Sequence, residues 1–151
     1  MVITAWGFAF PSPGAGDVAV IVNPQNSAVS ELSFLDLVRI CEQGQQYWKA
    51  GEKIYLVLQD RVGPERTTIL TKVYNKSDEE LKRFWLAKIF RGEITGFPKT
   101  LSSNESVKRF VAQVPNALGF VDAGVADDTV KVLRIDGKLP GEKGYALSLV
   151  K

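Results

Sequence analysis

Ile54-Tyr-Leu-Val-Leu-Gln-Asp-Arg-Val-Gly-Pro-Glu-Arg-Thr-Thr68 reads as a strand, a turn and the start of a helix. The apolar run over 54–58 is short and ends abruptly in a polar segment with Gly63 and Pro64, as a buried strand does. A helix is expected over about 67–74, with Thr67 and Thr68 capping its start. Backbone N–H groups at such a start point outward and carry the positive end of the helix dipole, which suits an anion. Arg61 adds a fixed cation, and Gly63, Arg66, Thr67 and Thr68 complete a candidate anion-binding turn. The plain alternative for Arg61 is a surface salt bridge to Asp60 or Glu65.

Outward from this segment, strands and helices interleave. Val18-Ala-Val-Ile-Val22 is β-branched and bounded by Asp17 and Asn23-Pro24, so it reads as a buried strand. Ligands of open α/β sheets bind beyond the C-terminal ends of strands, which adds Asn23 and Ser27 to the candidates. An ordinary strand-to-helix connection explains the same loop. Ser33 and Asp36 resemble a capping box ahead of Phe34, Leu37, Val38 and Cys41, a helix that stops near Gly44. Ser77-Asp-Glu-Glu80 is a full box, followed by a stripe of Leu81, Phe84, Trp85 and Ile89 that ends at Gly92.

Gly96-Phe-Pro98 marks a loop. A helix from Ser102 or Ser103 carries Val107, Phe110, Val111 and Val114, and Pro115 ends it. Residues 117–121 and 130–135 read as strands, Asp136-Gly137 as a turn, and Tyr145 to Val150 as a last edge strand. The expected architecture is a single α/β domain over 18–151 with a mixed sheet flanked by helices.

Composition narrows the chemistry. The chain has 151 residues, 45% hydrophobic and 24% charged, which fits one globular domain. A net charge of +2 and no Lys/Arg block argue against nucleic acid. There is no histidine, which removes Ser-His and Cys-His pairs and the commonest general base. No carboxylate or lysine pair suggests catalysis instead, so the chain is read as not an enzyme. Neither a cofactor motif nor a metal set is present: Asp127-Asp128 reads as a solvated turn. The lone Cys41 reads as a small core residue, and Tyr47 and Trp48 as packing aromatics.

Residues 1–17 stand apart. They hold Trp6, Phe8 and Phe10 with Pro11, Pro13, Gly14 and Gly16, and no lysine or arginine precedes Arg39. Two readings are open: the remnant of a signal segment, or a packed N-terminal arm. Nothing later is apolar over enough length to insert in a membrane.

Residues 32–40, the Arg61 turn, Phe90-Arg-Gly92 and above all Ser106-Val-Lys-Arg-Phe-Val-Ala-Gln-Val-Pro-Asn-Ala-Leu-Gly-Phe-Val-Asp122 carry a resemblance. The last stretch is similar to a helix followed by "V-x-x-x-P-G-A-I-G-Y-V" in the substrate-binding proteins of phosphate ABC transporters. The likeness runs from about Val18 to the C-terminus and is to the second lobe only, as in short stand-alone forms. It implies a periplasmic-binding-protein-like lobe, a periplasmic location, phosphate or another small oxyanion as ligand, and a transporter permease or signalling protein as partner.

In that family an arginine and a D-G-S-G-T-type turn grip phosphate. Arg61 matches the arginine and Thr67 the closing threonine. Glu65 stands in the place of the serine and repels an anion unless Arg66 pairs with it, and Pro64 removes an N–H donor. Two functions follow: weak oxyanion recognition at Arg61–Thr68, or an accessory or sensory interaction domain, including a homodimer, that has lost phosphate binding.

Overall fold

The computed structural model describes residues 16–27, 29–43, 47–48 and 51–149. Of the expectations above, residues 1–15, Gly44 and Val150 lie outside these.

The elements in chain order are β1 (Val18–Val22), β2 (Glu31–Leu32), α1 (Phe34–Gln43), β3 (Tyr55–Gln59), α2 (Pro64–Thr68), α3 (Asp78–Phe90), β4 (Lys99–Leu101), α4 (Asn104–Gln113), β5 (Ala117–Asp122), β6 (Lys131–Val132) and β7 (Arg134–Ile135). A π-helical stretch, Ile69–Tyr74, continues α2. Five strands form one sheet in the order β4-β3-β5-β1-β6, and β2 and β7 pair separately. The sheet is mixed: β3 runs parallel to β4 and β5, and β1 runs antiparallel to β5 and β6.

Alternation along the strands sorts the core onto two faces. Val18, Val20, Val22, Leu56, Leu58, Leu118 and Phe120 pack against α1, the π-helical stretch and α3. Ala19, Ile21, Val57, Ala117 and Val121 pack with Val107 and Val111 of α4 on the other face. Helices thus cover both sides, and β1 is buried throughout.

The local signals explain where the helices begin. Ser77 and Glu80 form the full capping box of α3, and the bonds from Ser77 hold the Glu80 carboxyl below its ordinary range. Ser103 caps α4 with Ser106 in the reciprocal role. Before α1 only half of the expected box forms: Asp36 N–H donates to Ser33 Oγ at 3.0 Å. The Asp36 carboxylate turns instead to Arg39, and Phe34 N–H is capped by Asp136 Oδ1 at 2.9 Å. Cys41 is fully buried, and burial pushes its thiol up to about 12, so it stays protonated and inert. Trp48 is buried with its indole N–H on Asn116 O, whereas Tyr47 is exposed.

Two expectations are corrected, and one further strand appears. The segment 130–135 is not one strand, because the chain changes partners at Leu133. Lys131–Val132 pair with β1, Leu133 N–H donates to Val20 O, and Arg134–Ile135 pair with β2. Residues 145–149 make no strand and are held as a bridge: Ser148 opposes Asp17, and Val18 N–H donates to Leu147 O. The short edge strand β4 follows directly on the expected Gly96–Pro98 loop and had no signal of its own.

Candidate functional site

Because β3, β4 and β5 are parallel, Gln59, Leu101 and Asp122 end at one edge of the sheet. The connection after β3 leads outward to β4, and the one after β5 leads the other way towards β6. The two neighbouring strands therefore diverge at their C-terminal ends, which is the switch point where open α/β sheets make their crevices.

The crevice here is small, mostly apolar, and crossed by a set of linked polar groups. Gln59 is buried, and its Nε2 donates to Asn104 Oδ1 at 2.6 Å and to Phe120 O at 3.3 Å. Asn104 Oδ1 also accepts from Asp122 N–H at 2.9 Å, and Asn104 Nδ2 reaches Glu65 Oε1 at 3.5 Å. Arg66 donates from Nη1 to Gln59 O at 2.5 Å, and its Nε and Nη2 bind Asp78 Oδ1 at 2.8 and 2.6 Å. Between the aliphatic Leu58, Ile69, Leu70 and Leu81 and the polar Gln59 and Arg66 lies a space of about 10 Å³. That holds roughly one water molecule.

The expected helix start is corrected. α2 begins at Pro64 with Gly63 as its N-cap, and no side chain caps it. Proline suits the first helical position, since its fixed φ is helical and an N–H there has no partner to lose. Thr67 and Thr68 are therefore inside the helix and do not cap it. Thr67 is exposed; Thr68 is wholly buried and donates from Oγ1 to Pro64 O at 2.7 Å. Gly63 has extended backbone, φ 172°, that any residue can adopt.

Arg61 is exposed and forms no ion pair among the described residues, so the salt bridge to Asp60 or Glu65 is absent. Arg66 pairs with Asp78 and not with Glu65, whose carboxylate stays over Asn104.

Asn23 and Ser27 do not join this group. β1 is antiparallel to β5, so its C-terminal end lies at the opposite edge, where Val22 faces Leu118. Asn23 is 3% exposed and fully engaged: Nδ2 donates to Val111 O and Ala112 O at 3.0 Å each, and Oδ1 accepts from Gln25 N–H at 2.9 Å. It fastens the end of β1 to the last turn of α4. Ser27 is exposed in the same loop, its N–H on Gln25 O.

Sequence reasoning missed Gln59 and Asn104. The signals were a polar residue closing an apolar strand, and an asparagine directly after the capping serine of α4. Elsewhere, Asp127 is tied to Lys108 at 2.8 Å and to the Thr129 hydroxyl, as a solvated turn would be. Among the described residues no group of three acidic, Cys or His side chains is placed to hold a metal. No helix among them is long and apolar enough to cross a membrane.

No protein-family model matches the sequence, and no curated protein matches it. Solved structures do. An ABC-type phosphate transport receptor from Vibrio cholerae superposes with a TM-score of 0.71 at 22% identity, over 88% of this chain and 53% of that one. A structure from Clostridium perfringens, assigned as a phosphate ABC transporter substrate-binding protein with bound phosphate, gives 0.65 at 20% identity, over 82% and 46%. PstS from Borrelia burgdorferi gives 0.62 at 18% identity, over 82% and 49%. The chain thus spans about half the length of the solved structures it matches. At this identity what is shared is the fold: a mixed α/β lobe, the size of about half a phosphate-transport binding protein.

Proposed function

We propose that this chain is a non-enzymatic binding module that recognises a small oxyanion such as phosphate, weakly, at the turn from Arg61 to Thr68. Arg61 carries the reading: it is an exposed guanidinium with no ion pair among the described residues, just past the C-terminal end of β3. A guanidinium grips a phosphate oxygen pair with two parallel N–H bonds. The exposed Thr67 hydroxyl and the Gly63 backbone share that turn, whereas Arg66 and Thr68 are engaged internally and support it from beneath. An anion held from one side keeps much of its hydration, so the affinity expected is about millimolar. A bound phosphate in a structure of the same fold supports the choice of ligand.

Calorimetric titration with phosphate and sulfate tests this. Saturable phosphate binding that weakens about tenfold or more in Arg61→Ala, with an unchanged far-UV spectrum, is the expected result. Wild-type protein that takes up no anion overturns it.

Glu65 favours a second reading. Its carboxylate sits above Asn104 at the same edge, where it repels an incoming anion. On this reading the chain is an accessory or sensory interaction domain, including a homodimer, that no longer binds phosphate. Light scattering separates the two: a strict monomer that binds phosphate excludes the second. A periplasmic location and a transporter permease or signalling protein as partner belong to the first reading as further proposals.

A further inference from the structure

The ladder between β3 and β4 starts only at Val57 opposite Lys99, so among the described residues no strand pairs with Ile54 and Leu56 ahead of it on that side, while Tyr55 N–H donates to Asn116 O on the β5 side. The chain arriving at β4, Ile94 to Pro98, stands away from them and leaves a groove of about 300 Å³. It is bounded by Lys53, Ile54, Leu56, Ile94, Phe97 and Lys99. We propose that this groove is a docking slot for an extended peptide of alternating acidic and apolar residues, laid beside β3 where β4 leaves off.

The backbone of an incomplete strand pair is a template for an added strand. Three residues of such a strand span roughly 10 Å, matching the stretch from Ile54 to Leu56. The two faces of the slot differ in chemistry. Ile54, Leu56 and Ile94 belong to the large apolar cluster on one face. On the other, the Tyr55 ring packs tilted against Phe110 with centres 5.5 Å apart, and Lys99 Nζ lies 5.1 Å from the centre of the Phe110 ring. A guest strand alternates its side chains between these faces, so every second residue lies over the outer edge of this largely buried aliphatic cluster and the others meet a lysine.

The charge is one-sided. Lys53 and Lys99 border the groove, and none of its lining residues is acidic. Of the carboxylates adjacent in sequence, Glu93 is held by Arg91 and Lys88, which leaves Glu52. Phe97 and Tyr55 are 51% and 45% exposed at the rim of the groove.

Fluorescence anisotropy with a labelled peptide of three Glu-Leu repeats provides the test. Saturable binding is expected, weaker by about three- to tenfold in Lys99→Glu and in Lys53→Glu, each checked for fold by far-UV circular dichroism. A peptide of Lys-Leu repeats, and a Glu-Leu peptide with N-methylated backbone, are expected not to bind. The proposal is overturned if the Glu-Leu peptide does not bind at millimolar concentration, if the N-methylated one binds equally, or if neither charge reversal weakens it. Light scattering that shows a dimer broken by Lys99→Glu would assign the slot to a second copy of this chain, and so also overturn it.

Discussion

Asn23 offers the sharpest test of how the two edges of the sheet differ. Its amide donates to two carbonyls in the last turn of α4 and accepts from Gln25 N–H, and it is buried. Asn23→Ala removes three hydrogen bonds at a net of about 1 kcal/mol each and leaves the two helix carbonyls short of a donor, so a loss of roughly 2–3 kcal/mol is expected. With a urea m-value of about 2 kcal/mol/M, the unfolding midpoint should fall by roughly 1–1.5 M.

Asn23→Asp keeps the shape but sets a carboxylate against two carbonyl oxygens at the negative end of a helix, so it should be worse than alanine at pH 7. That carboxyl is expected to titrate above its unfolded value of about 3.9, because burial and the facing carbonyls both favour its protonated form. A raised acid stabilises the fold below its unfolded pKa and loses that contribution as pH rises through the folded one. The deficit of the Asn23→Asp variant should therefore shrink as pH is lowered towards 4. Tryptophan-monitored urea unfolding at pH 4 and 7 measures all of this. An alanine variant that loses less than about 1 kcal/mol, or an aspartate variant more stable than alanine at pH 7, would refute the structural role.

Other perturbations probe the rest of the molecule. If Glu65 guards the anion edge, Glu65→Gln should raise phosphate affinity by about three- to tenfold at low salt and less at high salt; calorimetry that finds no change would clear Glu65. A Cβ on Gly119 would lie 2.8 Å from Val107 Cγ1 and 3.1 Å from Val111 Cγ2, so α4 must shift away from β5 in Gly119→Ala. About 1–3 kcal/mol of stability should be lost in chemical unfolding, and an unchanged midpoint would mean that α4 is free to move. Lys108, with help from Thr129, holds the Asp127 carboxyl at about 2, below its usual 3.8. A depressed acid stabilises the fold above its unfolded pKa, and this contribution fades as pH falls from about 4 towards 2. In Lys108→Met the Asp127 carboxyl should titrate closer to 3.8 by NMR, and an unmoved titration would exclude the lysine as its cause.

What was legible in the sequence was local. The Ser77–Glu80 box and the Val107, Phe110, Val111 stripe sit within a few residues of the groups they serve, so α3 and α4 were readable as they stand. Even the error at Thr67 was local: Gly63-Pro64 looked like a turn, yet proline at the first helical position marks a beginning. The strands were harder. Nothing within Val18–Val22 encodes that it runs against β5, yet that direction alone carries Asn23 and Ser27 to the far edge from Arg61. The partner change at Leu133 depends likewise on where β1 and β2 lie, and β4 is too short to show a pattern. Gln59 and Asn104 were invisible for a related reason: 45 residues separate them in the chain, and only the parallel pairing of β3, β4 and β5 unites them.

The central place of β1 also dictates an order of events. The strand made near the start of the chain finds its neighbours in β5 and β6, and its first residue accepts a hydrogen bond from Tyr145, 127 positions later. During synthesis Val18–Val22 must therefore wait, apolar and unpaired, until nearly the whole domain has emerged. Closing so long a loop is slow. A chain halted before Ala117 would present that strand to whatever edge it met first, so this lobe gains its protection from aggregation only once β5 and β6 have been made.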